Sequence, residues 1–224
     1  MIPAIILARG GSKGILDKNI MEFCGKPLIV WSIEQALNDG FECIVVSTDS
    51  DKIKNIVKDY NKNIVIIDRP AELATDEIES DYALIHACKR LEFLGYEFEY
   101  VINLQCTSPL RKKDDINKAW WVFENGNYDS LFSCSVCTDY CIWDNKKSIT
   151  YNYKKRGRRQ DKKPLYLENG SIYIFKKDLL YRKKRRLGGK IGRYIMRPWQ
   201  SFEIDEYSDV PIIEYFLNKE ILNA

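Results

Sequence analysis

Short apolar runs alternate with longer mixed stretches through the first half of the chain. Residues 4–8, 43–47, 64–67 and 100–105 are apolar runs of strand length and are predicted to be strands. The stretches 27–38, 49–60, 76–94 and 114–124 are predicted to be the helices between them. Pro27 suits a first helical position, Asp76 a helix cap and Gly95 a helix exit. This alternation predicts an α/β fold with a mostly parallel central sheet flanked by helices. Ligands in such sheets bind beyond the carboxyl ends of the strands. The loops beginning at Arg9, Thr48, Asp68 and Cys106 are therefore expected to converge on one crevice. The second half breaks the rhythm. There, 130–136, 149–153 and 171–175 are predicted strands, with a polar run over residues 154–164.

The first strand runs straight into Arg9-Gly10-Gly11-Ser12-Lys13-Gly14, followed by Lys18 and Asn19. Glycines let a backbone approach a ligand closely, and successive amides in such a loop form an anion-binding nest. Arg9, Ser12, Lys13 and Lys18, with the backbone at Gly10 and Gly11, are the expected polyphosphate ligands, the cations adding charge-assisted bonds. A solvated basic turn is the plainer alternative. The spacing fits neither the P-loop nor the dinucleotide fingerprint, because Ile15-Leu16 stands where Gly-Lys-Ser/Thr is needed and Lys13 intrudes between the glycines.

At 224 residues the chain suits one domain with a sizeable core, and its composition is that of a globular protein. A net charge of +3 says little, but basic residues gather at 154–163 and 182–193. Only a few apolar residues precede Arg9, so no secretory leader is read, and no run is long enough to span a bilayer. Seven cysteines are then expected to be reduced in the cytoplasm. Cys134, Cys137 and Cys141 suggest zinc, but a structural site wants four ligands, and the single histidine, His86, lies within a predicted helix.

The run from Leu7 to Gly14, with Lys18-Asn19 and Gly25-Lys26-Pro27-Leu28, resembles the N-terminal signature of the CMP-sialic acid synthetases, the acylneuraminate cytidylyltransferases. These include the bacterial enzymes for legionaminic and pseudaminic acids. Further segments match in order: Ser47-Thr48-Asp49, residues 69–74, residues 103–111, Glu168-Asn169-Gly170-Ser171-Ile172-Tyr173, and residues 201–205. The resemblance implies a Rossmann-like nucleotidyltransferase fold over residues 1–224, with a dimerisation and sugar-binding insertion at about 138–170 and a homodimer. It implies transfer of CMP from CTP to the anomeric hydroxyl of a nonulosonic acid, with Arg9, Ser12, Lys13 and Lys18 holding the triphosphate and Arg9 and Lys13 stabilising charge on the departing pyrophosphate.

Carried over residue by residue, it implies that Asn19 contacts the nucleotide and that Arg69 and Ser80 line a cytosine pocket. It further implies that Gln105, Arg159, Asn169 and Tyr173 bind the sugar, with Gly170 shaping the floor. Arg159 would grip the carboxylate. Thr107, Ser108 and Arg111 are expected to hold their loop in shape, and Cys106 stands where relatives commonly have proline. Glu203 and Asp205 are the metal candidates, for Mg²⁺ or Mn²⁺: one residue apart on an extended segment, both carboxylates face one side and Ile204 faces the core. The alternative there is a helix start in which Asp205, Glu206 and Asp209 complement the dipole. Two other functions stay open. One is nucleotidyl transfer to Kdo or from another nucleotide. The other is a basic RNA-binding module, suggested by tyrosines among the cations of 151–194. The expected partners are CTP and the sugar acid, with no nucleic acid and no membrane.

Overall fold

The computed structural model describes residues 1–137 and 141–222, except for the side chain of Arg159. In chain order the elements are β1 (Ala4–Leu7), β2 (Glu22–Phe23), β3 (Lys26–Pro27), α1 (Leu28–Asn38), β4 (Ile44–Thr48), α2 (Asp51–Tyr60), β5 (Val65–Asp68), α3 (Ser80–Phe93) and β6 (Tyr100–Gln105). Then follow α4 (Asp115–Asn125), β7 (Ser130–Cys137), β8 (Leu165–Lys176), α5 (Lys177–Lys183), β9 (Ile191–Met196) and α6 (Val210–Leu217). Seven strands form one sheet in the order β5-β4-β1-β6-β8-β7-β9, in which β8 alone runs antiparallel to its neighbours. The predicted α/β architecture is thus the observed one.

Alternation along β1 shows why the sheet is covered twice. Ala4 and Ile6 enter a core shared with α1, α2 and α4, whereas Ile5 enters a second core with Leu84, Leu91 and other residues of α3. A third core lies beyond the strand ends: Ile15, Phe23, Leu28, Trp31, Leu110, Ile204, Ile213 and Leu217 pack together. It clamps the loop after β1 to the segment before α6. Among the described residues no helix is long and apolar enough to cross a membrane.

Several boundaries differ from the prediction. Pro27 is the residue before α1 rather than its first, and Ser50 caps α2 by accepting the Ile53 amide. The third helix begins at Ser80, and Asp76 does not cap it; its carboxylate is held by two cations instead. Gly95 does end that helix, with φ +89°. Residues 149–153 are not a strand. They form bends leading to a 3-10 turn at Tyr153–Lys155, because Trp143, Tyr151 and Tyr153 pack on each other instead of on a sheet. β8 extends well before residue 171, and β9 is additional. Thr138, Asp139 and Tyr140, where the expected insertion starts, lie outside the described residues.

Candidate active site

A cleft of about 530 Å³ opens at the carboxyl ends of β1 and β6, lined by Arg9, Ser12, Lys13, Lys18, Asn19, Arg69, Ser80 and Gln105 among others. The third core sets its geometry. Ile15 anchors the loop after β1, and a Cβ on Gly14 would run into the carbonyl oxygen of Asp205. Gly14 therefore brings the loop into direct contact with the acidic segment. Gly11, in contrast, is exposed with open space around it.

The basic loop is already braced by anions. Arg9 is paired with Asp76 and donates to the Ala74 carbonyl at 3.3 Å, and Lys13 meets the same carboxylate at 2.7 Å. Lys13 and Arg9 together hold the Asp76 carboxyl below the usual carboxylate range. The Gly10 amide donates to Asp49 Oδ1 at 2.9 Å, so this expected nest amide faces a side chain of the protein. Asn19 lines the cleft but uses its amide on the Arg9 carbonyl at 3.0 Å, fixing the start of the loop. Lys18 Nζ donates to the Ile204 carbonyl at 2.9 Å and to Asp205 Oδ1 at 3.0 Å, tying the loop to the acids.

Arg69 leaves β5 and turns back under the sheet end. It is 7% exposed, its Nη2 donates to the Ser47 carbonyl at 2.6 Å and its Nε to the Ser47 hydroxyl at 3.2 Å. Burial pushes its pKa below the ordinary arginine value, with Asp49 opposing. Ser80 opens α3 on the same wall. These two positions can offer fixed donors to an edge of a flat ring.

At the other wall, Ile204 is fully buried, with its amide on the Thr107 carbonyl at 2.9 Å, which confirms that Glu203 and Asp205 flank a core residue. The helix-start alternative fails for Asp205: α6 begins at Val210, and Asp209 Oδ2 alone accepts the amides of Asp205 and Glu206. A Cβ at Gly170, where φ is +64°, would sit 2.5 Å from Glu203 Oε1 and 3.0 Å from Gln105 Oε1. Only glycine leaves room for both groups there. Burial, then the charge of Asp205, raises the Glu203 pKa to about 7. The residues present fit a hard divalent cation, because two neighbouring carboxylates, one largely desolvated, carry more negative charge than the Lys18 ion pair at Asp205 offsets.

That shift predicts a pH dependence. Glu203 binds its proton more tightly folded than unfolded, so its contribution to stability is greatest below about pH 4.5 and is lost as pH rises through about 7. Metal-free protein is expected to lose up to about 3 kcal/mol between pH 5 and 7.5, and Glu203→Gln should flatten that slope. Urea unfolding in chelator at both pH values checks it; equal slopes would remove Glu203 as the titrating group.

The expected sugar residues separate. Gln105 lines the cleft. Asn169 does not reach it: its Oδ1 accepts from Ser133 Oγ at 2.6 Å and its Nδ2 contacts Met196 Sδ. The register between β7 and β8 shifts between Phe132 and Cys134, and Asn169 and Ser133 satisfy the backbone interrupted there. Tyr173 is 4% exposed, its hydroxyl bonds Glu168 at 2.5 Å, and its ring lies beneath the guanidinium of Arg186 at 4.3 Å. Arg186, not Tyr173, faces the cleft. Arg159 heads a 3-10 turn, and its side chain lies outside the described structure.

Arg186, Asp76 and Asn103 all line the cleft and were missed from sequence. Arg186 is the last of Lys183-Lys184-Arg185-Arg186, where nothing distinguishes one cation from the next. The Asp76 signal, an acid ahead of a helix, was read as a cap. The expected support of the 106–111 loop is present, since Arg111 is 1% exposed and bonds Ser171, Ser32, Gln35 and Gln105.

A family model described as cytidylyltransferase matches residues 3–222. Post-translational flagellin modification protein B of Campylobacter coli is 34% identical over 98% of this chain and 96% of its own. The N-acylneuraminate cytidylyltransferase of Streptococcus agalactiae serotype III (strain NEM316) is 34% identical over 92% of this chain but 50% of its own, so the chain spans about half that relative's length. The solved structure of a CMP:2-keto-3-deoxy-manno-octonic acid synthetase complexed with CTP superposes with a TM-score of 0.72 at 16% identity, over 98% of this chain and 99% of that one. At that identity the likeness is one of fold.

Proposed function

The chain belongs to the cytidylyltransferase family, and from that premise we propose that it transfers CMP from CTP to the anomeric hydroxyl of a nonulosonic, sialic-acid-like sugar, releasing pyrophosphate. One observation carries this reading: the third core fastens a loop bearing Arg9, Lys13 and Lys18 against the segment of Asp205, and these four residues line one cleft, with Glu203 two positions from Asp205. The resemblance of residues 168–173 to the sialic-acid-type enzymes and the streptococcal relative favour a nonulosonic acid over Kdo.

The chemistry follows from where the groups stand. The oxygen of the anomeric hydroxyl forms a bond to the α-phosphorus and gives up its proton to solvent, as the bond to the bridging oxygen breaks and its electron pair leaves with pyrophosphate. Arg9 and Lys13 neutralise the charge that develops on pyrophosphate once their shared partner Asp76 gives way to phosphate oxygens. Lys18 holds the loop at the acids, and Arg69 and Ser80 position the base. Glu203 and Asp205 would hold Mg²⁺ or Mn²⁺. When bound, such an ion supplies charge for the phosphoryl oxygens. Asp205→Asn is expected to raise the Mg²⁺ needed for half-maximal rate by about tenfold or more. An unchanged titration would remove Asp205 from the ion's ligands.

A homodimer is proposed through the segment around Ile142, Trp143, Ile149, Leu165 and Leu167, whose apolar side chains are exposed. The seven unpaired cysteines suit a reducing, cytoplasmic setting. An RNA-binding module is disfavoured, because three of the interleaved tyrosines are engaged within the chain: Tyr194 with Asp115, Tyr181 with Glu92, and Tyr166 beneath Arg193. The deciding experiment is pyrophosphate release with Mg²⁺, crossing four nucleotides with sialic, legionaminic and pseudaminic acids and Kdo. Release with CTP and a nonulosonic acid is expected; release with Kdo alone, or from another nucleotide, would overturn the reading.

A further inference from the structure

Arg186 is a fixed guanidinium on the cleft wall that no residue role discussed above explains. Its side chain is 16% exposed. Three contacts hold it: the ring of Tyr173 at 4.3 Å, Asn103 Oδ1 accepting from Nη1 at 3.0 Å, and Asp81, whose Oδ1 accepts the Arg186 backbone amide at 2.8 Å and lies 3.8 Å from Nε. Asn103 is itself locked, with Nδ2 on the Ile5 carbonyl at 3.0 Å. Asp81 already offsets the charge of Arg186, so a second counter-ion is not what the site lacks. What remains open is Nη2, which has no hydrogen-bond partner among the described residues, on a side chain that lines the cleft together with Ser80, Ala83 and Asn103.

Position along β6 decides what these donors meet. Gln105 shares the space beside Gly170 with Glu203, at the acid pair. Asn103 points to the same face two residues earlier, about 7 Å deeper. In a nonulosonic acid the carboxylate is bonded to the anomeric carbon, so it stays with the reacting oxygen near the acids. A sugar ring reaching from there toward Asn103 presents its opposite carbon to Arg186. In the acylated acids that carbon bears an acylamino group, whose carbonyl is a neutral acceptor.

Resting on the proposed sugar-acid substrate, we propose that Arg186 is a specificity-determining residue that donates through its open Nη2 to the acylamino carbonyl on the sugar carbon opposite the reacting centre. Arg159 or another cation is then left for the carboxylate.

The test compares kcat and KM for an acylamino acid and its deaminated analogue, which carries hydroxyl in that place, in wild type and Arg186→Gln. The variant is expected to raise KM for the acylamino acid by about tenfold or more while changing KM for the analogue less than about threefold. KM for CTP should move less than about twofold. Equal losses on both sugars would point to carboxylate binding or a purely structural role and overturn the assignment, as would no loss on either. If Arg186→Gln fails to fold, Arg186→Lys, which keeps the charge but not the fork, is expected to show the same preferential loss. Wild-type turnover of neither sugar, with CTP binding intact, would instead overturn the substrate reading and this assignment together.

Discussion

Replacing Arg9 by alanine is expected to lower kcat by about 10²–10³-fold, the range seen when one preorganised donor to developing charge is removed. Exposure ranks Arg9 above Lys13. The Arg9 side chain is 29% exposed and aimed by Ala74 and Asp76, whereas that of Lys13 is 79% exposed. Solvent screens the lysine more, and its flexible stem must be ordered on binding. Lys13→Ala should therefore cost less, about tenfold to 10²-fold. Single-turnover rates at saturating CTP separate this from weakened binding. Near-wild-type rates in Arg9→Ala would show that the loop does not carry the leaving-group charge.

Arg111→Leu is expected to destabilise the protein by about 3–5 kcal/mol, because it removes a buried guanidinium and leaves several neutral acceptors unpaired in the core, each costing about 1–3 kcal/mol. The guanidinium contributes five bonds: Ser171 O accepts at 3.2 and 2.8 Å, Gln105 O at 2.6 Å, Ser32 Oγ at 3.1 Å and Gln35 Oε1 at 2.8 Å. Burial has already lowered its pKa to about 10, a sign of how little water reaches it. Leucine would leave those acceptors facing apolar atoms. A fall in Tm of roughly 10 °C or more should follow for a chain of this size. Because Gln105 O is one of the acceptors, activity should fall even below the transition. A melting point within about 2 °C of wild type would mean that the acceptors find water instead.

What could be read without coordinates follows the physics of each segment. Strands β1, β4, β5 and β6 were legible because parallel strands covered on both faces are continuous apolar runs. Their order of loops placed Arg9, Arg69 and Gln105 in one cleft before any geometry was known. β9 was not legible, because at the sheet edge Ile191 and Ile195 are exposed and Arg193 interrupts the pattern. Residues 149–153 misled for a different reason: Tyr151 and Tyr153 pack on Trp143 rather than on the sheet, and Ile149 is exposed. Within the site, motif residues identified the loop and the acids, but not that the carboxylates of Asp49 and Asp76 hold that loop. Only the fold shows Arg186 lying over Tyr173, between it and the cleft.

The twelve-residue strand β8 has one more consequence. Its first residues, Leu165 and Leu167, are exposed at the sheet's far end, and Gly170, only three positions on, is the hollow that admits Glu203 and Gln105. The β7–β8 register shifts between Glu168 and Tyr173, and Gly170 turns to φ +64°, so the strand bends at the hollow instead of running straight through it. One strand thereby presents two separate surfaces: exposed leucines before the bend, and after it the buried residues that back the cleft.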